Sequence, residues 1–337
     1  MSHRSVPPGP LLRRVLSVAC LLLAGGCGTP PAPPRVDPEI ERAARVARAA
    51  FQMGSTKKAA LMYRRALKRA KALDDSTQIA NNAYNLAACL VAEAQYEEAR
   101  LLLKEAAIEL SRAGLQGGNV FFLQAKVARL TGEDQQAEVL AEAALAAPER
   151  AKDPNFRVQV HLLKAHVACD RDYVAGAETE LLQAEELLKK VSDLNVLAQF
   201  SGVSGRVAVL KNDYAQAAVK FDEMAEALRR AGNHREMTAA VKAAAQAYAK
   251  MADYPAAADR YFRAARSQLA NDRAEDARQT MNTVRPILER IEDLDLREQI
   301  GALSDEIGTA IAEQAEAQAR DEKRTNRRST IVERLSE

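Results

Sequence analysis

Small apolar residues recur along the chain at intervals of about forty positions. Stretches beginning at Gly54, Ala94, Asn212 and Ala252 are alike, and aligning them places one anchor alanine in each of six units. The anchors are Ala59, Ala99, Ala137, Ala177, Ala217 and Ala257, at spacings of 40, 38, 40, 40 and 40 residues. Apolar residues recur four and seven positions after each anchor. Because these offsets share one helical face, each unit predicts an amphipathic helix after a turn.

A second helix is predicted before each turn, with a small residue at its crossing point. The residues twelve positions before the anchors are Ala47, Ala87, Ala125, Ala165, Gly205 and Ala245. Small side chains allow paired helices to approach near the lower end of the ~8–10 Å range of axial distances. The pattern therefore predicts six closely packed helix–turn–helix units.

The predicted turns carry the residues that end and begin helices. Gly54 and Gly132 are suited to the left-handed conformation that ends a helix. Asp213 and Asp253 occupy N-cap positions, and Pro255 falls in the first turn of its helix, where a missing N–H leaves no bond unmade.

These units resemble the tetratricopeptide repeat, with its small–apolar–Gly–Tyr–Ala–aromatic–Ala signature. The resemblance covers residues 39–270 in six repeats, although the third has Asp134 in place of the turn tyrosine and the period exceeds the usual ~34 residues. It implies an all-α, right-handed superhelical solenoid of stacked antiparallel helix pairs, in units of about 40 residues, with an extended concave face. An unrelated helical array is the alternative.

The register fails after Asn271, where Arg297 stands at the next anchor position. Residues 271–319 are predicted to form a degenerate capping helix pair, Ala274 to Glu292 and Leu296 to Ala319, with a kink at Pro286. Residues 320–337 are predicted to be a charged, frayed tail, in which the spacing of Thr330 and Glu333 favours one short helix.

Residues 1–26 are predicted to be a signal peptide that is removed by cleavage. Three arginines precede an apolar run of about ten residues, which is too short to span a bilayer. The sequence LAGGC then resembles the lipobox of bacterial lipoproteins, which implies that Cys27 receives a diacylglycerol and an acyl chain such as palmitate. An ordinary secretory signal with a chance cysteine is the alternative. The absence of Asp at Gly28 favours the outer membrane by that family's sorting rule. Residues 27–38, with five prolines, predict a stiff tether.

The composition of the chain argues against nucleic-acid binding, a β-sheet fold and a disulfide. The chain has 48 basic and 46 acidic residues, and the signal removes three arginines and no acid, so the remaining chain is near neutral. Nucleic-acid binding needs a clustered positive excess, and we expect no nucleic-acid partner. Aromatic residues make up 4% of the chain, which favours helices over sheets. Cys89 and Cys169, two units apart, are predicted to be buried apolar residues without a disulfide.

No catalytic pattern is evident. His161 and His166 are five residues apart, which does not place them on one helical face for metal binding. His234 follows a Gly-Asn join, and acidic pairs such as Glu97–Glu98 point apart on solvated faces. We therefore expect no enzyme, no metal and no cofactor. An active site hidden from sequence reasoning remains the competing class.

In the tetratricopeptide family, first-helix positions off the packing face point into the concave groove. Here they are Arg45, Arg48, Asn81, Tyr84, Asn85, Phe122, Lys126, Arg129, His166, Arg206, Lys242, Gln246 and Lys250. This set is mostly basic or amide and contains no acid, which predicts a site for an extended or acidic peptide. A merely solvated face is the alternative.

The combined prediction is an outer-membrane lipoprotein facing the periplasm, which acts as a non-catalytic protein–protein interaction scaffold in the cell envelope. Two narrower roles stay open at this point. One is a pilotin-like assembly factor for a secretin or type IV pilus, and the other is an accessory regulator of cell-wall enzymes.

Overall fold

The computed structural model describes residues 36–336 of the 337-residue chain, without the side chains of residues 324–336. The predicted signal peptide, Cys27 and most of the tether lie outside these residues. Fourteen α-helices, α1 to α14, span Pro38–Gln52, Thr56–Ala72, Ser76–Ala92, Tyr96–Arg112, Gly118–Leu130, Asp134–Ala146, Pro154–Asp170, Val174–Leu188, Leu194–Leu210, Tyr214–Arg230, His234–Lys250, Tyr254–Leu269, Ala274–Val284 and Leu294–Ser336. Short 3₁₀ helices span Pro148–Arg150 and Arg285–Arg290.

Consecutive helices pack as antiparallel pairs, from α1 with α2 to α11 with α12, and each pair stacks on the next. The six pairs coincide with the six predicted units. The predicted all-α solenoid is therefore confirmed.

The small residues lie where the helices of each pair meet. All six anchor alanines have 0% of their surface exposed, and so do the five alanines twelve positions earlier. Gly205 fills that place in the fifth unit, where an added Cβ would lie 2.8 Å from the Phe221 ring. A bulkier residue at these crossings would push the paired helices apart.

Every turn within a unit contains one residue in the left-handed conformation. The φ angles are +73° at Gly54, +57° at Ala94, +78° at Gly132, +54° at Asp172, +58° at Asn212 and +61° at Ala252. The predicted glycine caps are thus confirmed, and the same geometry recurs where the residue is not glycine. Ala94 and Ala252 adopt it despite the steric penalty on their Cβ atoms.

Acidic and amide side chains begin many of the helices. As predicted, Asp213 accepts a hydrogen bond from the N–H of Gln216, and Asp253 accepts one from Ala256. Equivalent N-cap bonds occur at Asp37, Asp75, Asp153, Asp193 and Asn233. Each bond satisfies an N–H that has no partner within its helix.

The helix predicted from Ala274 to Glu292 is shorter than expected. Helix α13 ends at Val284, and the chain continues as a 3₁₀ helix that contains Pro286. Proline lacks an N–H and collides with the preceding turn, so the α-helix stops there. Ile300, Leu303 and Ile307 of α14 pack in the same apolar cluster as Met281 of α13, which caps the solenoid.

The predicted end of the last helix at Ala319 is wrong, because α14 runs unbroken to Ser336. The short helix expected near Thr330 is part of it. No glycine or proline follows Gly308, and Glu316 pairs with Arg320 one turn later at 2.9 Å. No helix among residues 36–336 is long and apolar enough to cross a bilayer.

Candidate functional site

The thirteen predicted groove residues all keep contact with solvent. Arg45, Arg48, Asn81, Lys126, Gln246 and Lys250 are exposed, and Tyr84, Asn85, Phe122, Arg129, His166, Arg206 and Lys242 are half-buried. They lie on the first helices of the units, beside the face that carries the buried crossing residues.

Side chains from three helices meet at what we call the groove centre: Lys126 and Arg129 of α5, His166 and Asp170 of α7, and Arg206 of α9. The Asp170 carboxylate lies 2.9 Å from the Arg129 guanidinium and 2.7 Å from that of Arg206. The predicted set contains no acid, but the structure adds Asp170, which bridges two of the predicted arginines. Its position four residues after His166, on the same helical face, was the signal that could have found it.

The pKa values at the groove centre reflect burial and the clustered charge. Burial alone would raise the pKa of Asp170, but the hydrogen bonds from Arg206 and Arg129 outweigh it and hold that pKa below its ordinary value. Burial, together with Arg129, Arg206 and Lys126, lowers the pKa of His166 to about 4, against the opposing charge of Asp170. The imidazole is therefore neutral at pH 7, and its buried Nδ1 has no hydrogen-bond partner among the residues that the structure describes.

Positive charge is in excess at this point. The Lys126 side chain is exposed, but surrounding atoms partly desolvate its ammonium; this desolvation and the neighbouring Arg129 lower the pKa of Lys126, while Glu236 of α11 acts in the opposite direction. Lys126 forms no ion pair with any described residue, and Arg129 Nε is buried without a partner. Two guanidiniums thus hold one carboxylate beside a neutral imidazole, and the neighbouring Lys126 ammonium, unpaired within the described chain, has donors for a second anion.

An aromatic wall adjoins the groove centre on α5 and α7. The rings of Phe122 and Phe156 meet edge to face with centroids 5.6 Å apart, and the Arg150 guanidinium stacks 4.5 Å from the Phe156 centroid. Burial raises the pKa of Tyr84 on α3, and Arg150 opposes that shift. Phe156 and Arg150 were not predicted, since Phe156 is core-like and Arg150 lies in an inter-unit join.

The remaining predicted residues lie outside this constellation. Arg45 and Arg48 lie on α1, and Lys242, Gln246 and Lys250 on α11, with no hydrogen bond or ion pair to the groove centre within the described chain. Asn85 donates to the Asn81 carbonyl oxygen in its own helix at 2.8 Å.

A polar cluster outside the groove braces three helices. Lys164 of α7 lies 2.5 Å from Glu142 of α6 and 2.6 Å from Glu180 of α8, and His161 Nδ1 lies 2.8 Å from Glu180. Because its carboxylates and lysine pair with one another, the cluster joins neighbouring units. No group of three or more His, Cys, Asp or Glu among the side chains of residues 36–323 is placed to hold a metal ion.

A cleft of about 1250 Å³ opens between α4 and α6. Two ion pairs lie on its rim, with Arg100 lying 2.5 Å from Glu133 and Arg171 3.0 Å from Glu138, and Lys104 and Asp134 also line it. The cleft lies beside the third unit. The two helices of this unit have 13 residues each, whereas most of the other paired helices have 17.

The two described cysteines confirm their predicted character. Cys89 and Cys169 are both buried and free. Burial raises the pKa of the Cys89 thiol to about 11, so it stays protonated and behaves as a small apolar group.

No protein-family model matches the chain, and no curated protein matches it significantly. Solved structures do match. A Rap protein complexed with Competence and Sporulation Factor shares 14% identity, with 91% of this chain and 93% of that chain covered and a TM-score of 0.57. NprR in complex with its cognate peptide NprX shares 11% identity, with 97% and 95% covered and a TM-score of 0.54.

A third match is a signal transduction ATPase with a tetratricopeptide repeat sensor from Pyrococcus horikoshii. It shares 15% identity at a TM-score of 0.57, with 85% of this chain and 42% of that chain covered. The helix pairs, the buried alanines at their crossings and these neighbours agree: the chain has the tetratricopeptide-repeat fold.

Proposed function

We propose that this chain is a non-catalytic outer-membrane lipoprotein that binds an extended peptide segment of another envelope protein in its concave groove. The observation that carries the proposal is the groove centre, where Arg129 and Arg206 hold the Asp170 carboxylate and the neighbouring Lys126 forms no ion pair within the described chain. Because this surface is half-enclosed by helices, an added carboxylate would interact more strongly there than on a flat, hydrated face.

The spacing along α5 indicates the chemistry of the ligand. Phe122, Lys126 and Arg129 share one face at offsets of four and seven residues, which corresponds to about 6 and 10 Å along a helix. An extended peptide advances about 3.3–3.6 Å per residue. The preferred ligand therefore carries an acidic residue two or three positions from an apolar or aromatic one.

Structural neighbours support binding of a peptide rather than of a small metabolite. The NprR structure contains its cognate peptide, and the Rap structure contains Competence and Sporulation Factor. Both match over more than nine-tenths of each chain.

Site-specific crosslinking in intact envelopes tests the groove. A photoreactive phenylalanine analogue replaces Phe122 or, as the control, exposed Tyr173 in the turn between α7 and α8. We expect discrete protein adducts from position 122, lost on adding Lys126→Glu, and none of these from position 173. Identical adducts from both positions, or none from 122, would contradict the groove. A secretin among the adducts favours the pilotin-like role, and cell-wall enzymes favour the regulatory role.

Lipidation is tested separately at Cys27. Wild-type protein should incorporate labelled palmitate and remain with membranes after a high-salt wash, whereas Cys27→Ala should lose the label and wash off. An unlabelled wild-type protein would refute the anchor without affecting the groove. The resemblance of LAGGC to the lipobox and the tether sequence that follows it support this part of the proposal.

A further inference from the structure

Positive charge is concentrated in the first helix pair. Residues 38–72 contain ten Lys and Arg against two Glu, whereas residues 73–337 contain 34 basic and 43 acidic residues. The first pair therefore has a net charge of +8, and residues 73–337 have a net charge of −9. The near-neutral total hides a strongly polarised molecule.

The outer surface of α2 presents much of this charge. Lys57, Leu61, Arg64 and Lys68 fall on one helical face at offsets of four, seven and eleven residues, and all are exposed. Lys57, Lys58 and Lys68 have no acidic partner within ion-pair distance in the described chain. Leu61, in the middle of this face, is 58% exposed.

The end of α1 and the turn that follows it add exposed apolar side chains. Phe51 is 42% exposed and Met53 is 81% exposed. We call Lys57, Lys58, Leu61, Arg64 and Lys68, together with these two residues, the basic face. It combines cations with apolar groups able to enter the boundary between lipid headgroups and acyl chains.

Local stability does not account for this composition. Lys57 and Lys58 lie in the first turn of α2, next to the positive end of the helix dipole. That turn contains no acidic residue, and Ser55 makes no side-chain N-cap bond. Exposed cations that destabilise their own helix indicate a binding partner outside the chain.

We propose that the basic face binds an anionic bilayer surface, with Phe51 and Met53 entering the interface. Anionic lipids attract Lys and Arg at short range, and the net-negative remainder of the chain is repelled. The first helix pair then lies against the membrane, and the later units extend away from it. This goes beyond the proposed peptide binding and does not need the lipid on Cys27.

The proposal is also compatible with an anchor at Cys27. The ten residues between Cys27 and Pro38 can extend to about 30 Å if they are polyproline-like. Helix α1, with 15 residues, is about 22 Å long. An anchor attached ahead of α1 is therefore long enough for the turn at its far end to reach the bilayer.

Vesicle sedimentation of the full chain carrying Cys27→Ala tests this contact without the lipid anchor. We expect binding to vesicles of mixed phosphatidylcholine and phosphatidylglycerol, weakened by salt, and none to phosphatidylcholine alone. Lys57→Glu/Lys58→Glu/Lys68→Glu should lower the affinity at least about tenfold. The same reversal at exposed Lys104, Lys190 and Arg230 matches the change in net charge and should have a much smaller effect.

Phe51→Ser/Met53→Ser should weaken vesicle binding while leaving its salt dependence unchanged. The three charge reversals should leave the helical circular dichroism intact, because all three side chains are exposed. Equal binding to neutral vesicles, or equal losses from both sets of reversals, would overturn the proposal. So would preferential binding to a DNA duplex over the anionic vesicles. None of these results depends on palmitate labelling or on groove adducts.

Discussion

The first helix of each unit has two adjacent positions that follow opposite rules. Twelve residues before each anchor the side chain is always alanine or glycine, and it is buried in every unit. The next residue along the chain is Arg48, Ala88, Lys126, His166, Arg206 or Gln246, and none of these is buried. The repeated position sets how closely the helices pack, and the variable position sets what the groove presents.

The largest effect is expected when a small residue at a helix crossing is replaced by a larger one. Ala177, with no exposed surface, lies at the crossing of α7 and α8. Ala177→Leu should lower the free energy of unfolding by about 3 kcal/mol, because the added carbons force the paired helices apart. Urea unfolding followed by circular dichroism measures this. Exposed Ala175→Leu, two residues earlier, is the control and should stay within about 0.5 kcal/mol of wild type.

A second test measures how the charge state of His166 changes the stability of the protein with pH. Because the pKa of His166 is lowered from 6.5 to about 4, the unfolded chain takes up a proton at a higher pH than the folded chain. Stability from the neutral imidazole is thus complete above pH 6.5 and is lost as the pH falls to 4, by up to about 3 kcal/mol. His166→Gln should remove this loss, whereas exposed His234→Gln should retain it. Parallel pH–stability curves for wild type and His166→Gln would refute it.

The sequence predicted correctly those features of the fold whose packing or backbone geometry recurs in every unit. The anchor alanines and the turn glycines each occupy a site whose geometry recurs, so six weak signals support one another. The pairing of Asp170 with Arg129 and Arg206 occurs once and joins three helices, so no period reveals it. Phe156 was missed for a related reason, since burial in the core hides its place in the aromatic wall. The end of α13 depended on whether Pro286 kinks or stops the helix, which propensity alone does not decide.

A smaller effect sharpens the comparison within the turns. Ala94 and Gly54 share the left-handed conformation, but only alanine carries a Cβ that opposes it. Ala94→Gly should stabilise the protein by about 0.5–1 kcal/mol, the relief of strain exceeding the added freedom of the unfolded chain. The control Ala92→Gly, at the exposed end of α3, should destabilise it by a similar amount. Thermal unfolding of both variants measures whether the two changes in stability have opposite signs. A loss of stability in Ala94→Gly would contradict the prediction.

The smallest expected change in stability is at the variable position of the third unit. Lys126 is exposed and has no ion-pair partner among the described residues, so Lys126→Glu should change the unfolding free energy by less than about 0.5 kcal/mol. The same substitution reverses the charge beside Arg129 and should reduce recovery of the crosslinked partner at least about tenfold. Ala125→Glu, one residue earlier on the packing face, should instead unfold the unit, because it buries an unpaired charge. If Lys126→Glu destabilised the protein as Ala125→Glu does, the two faces would not be separable, and the groove could not vary independently of the fold.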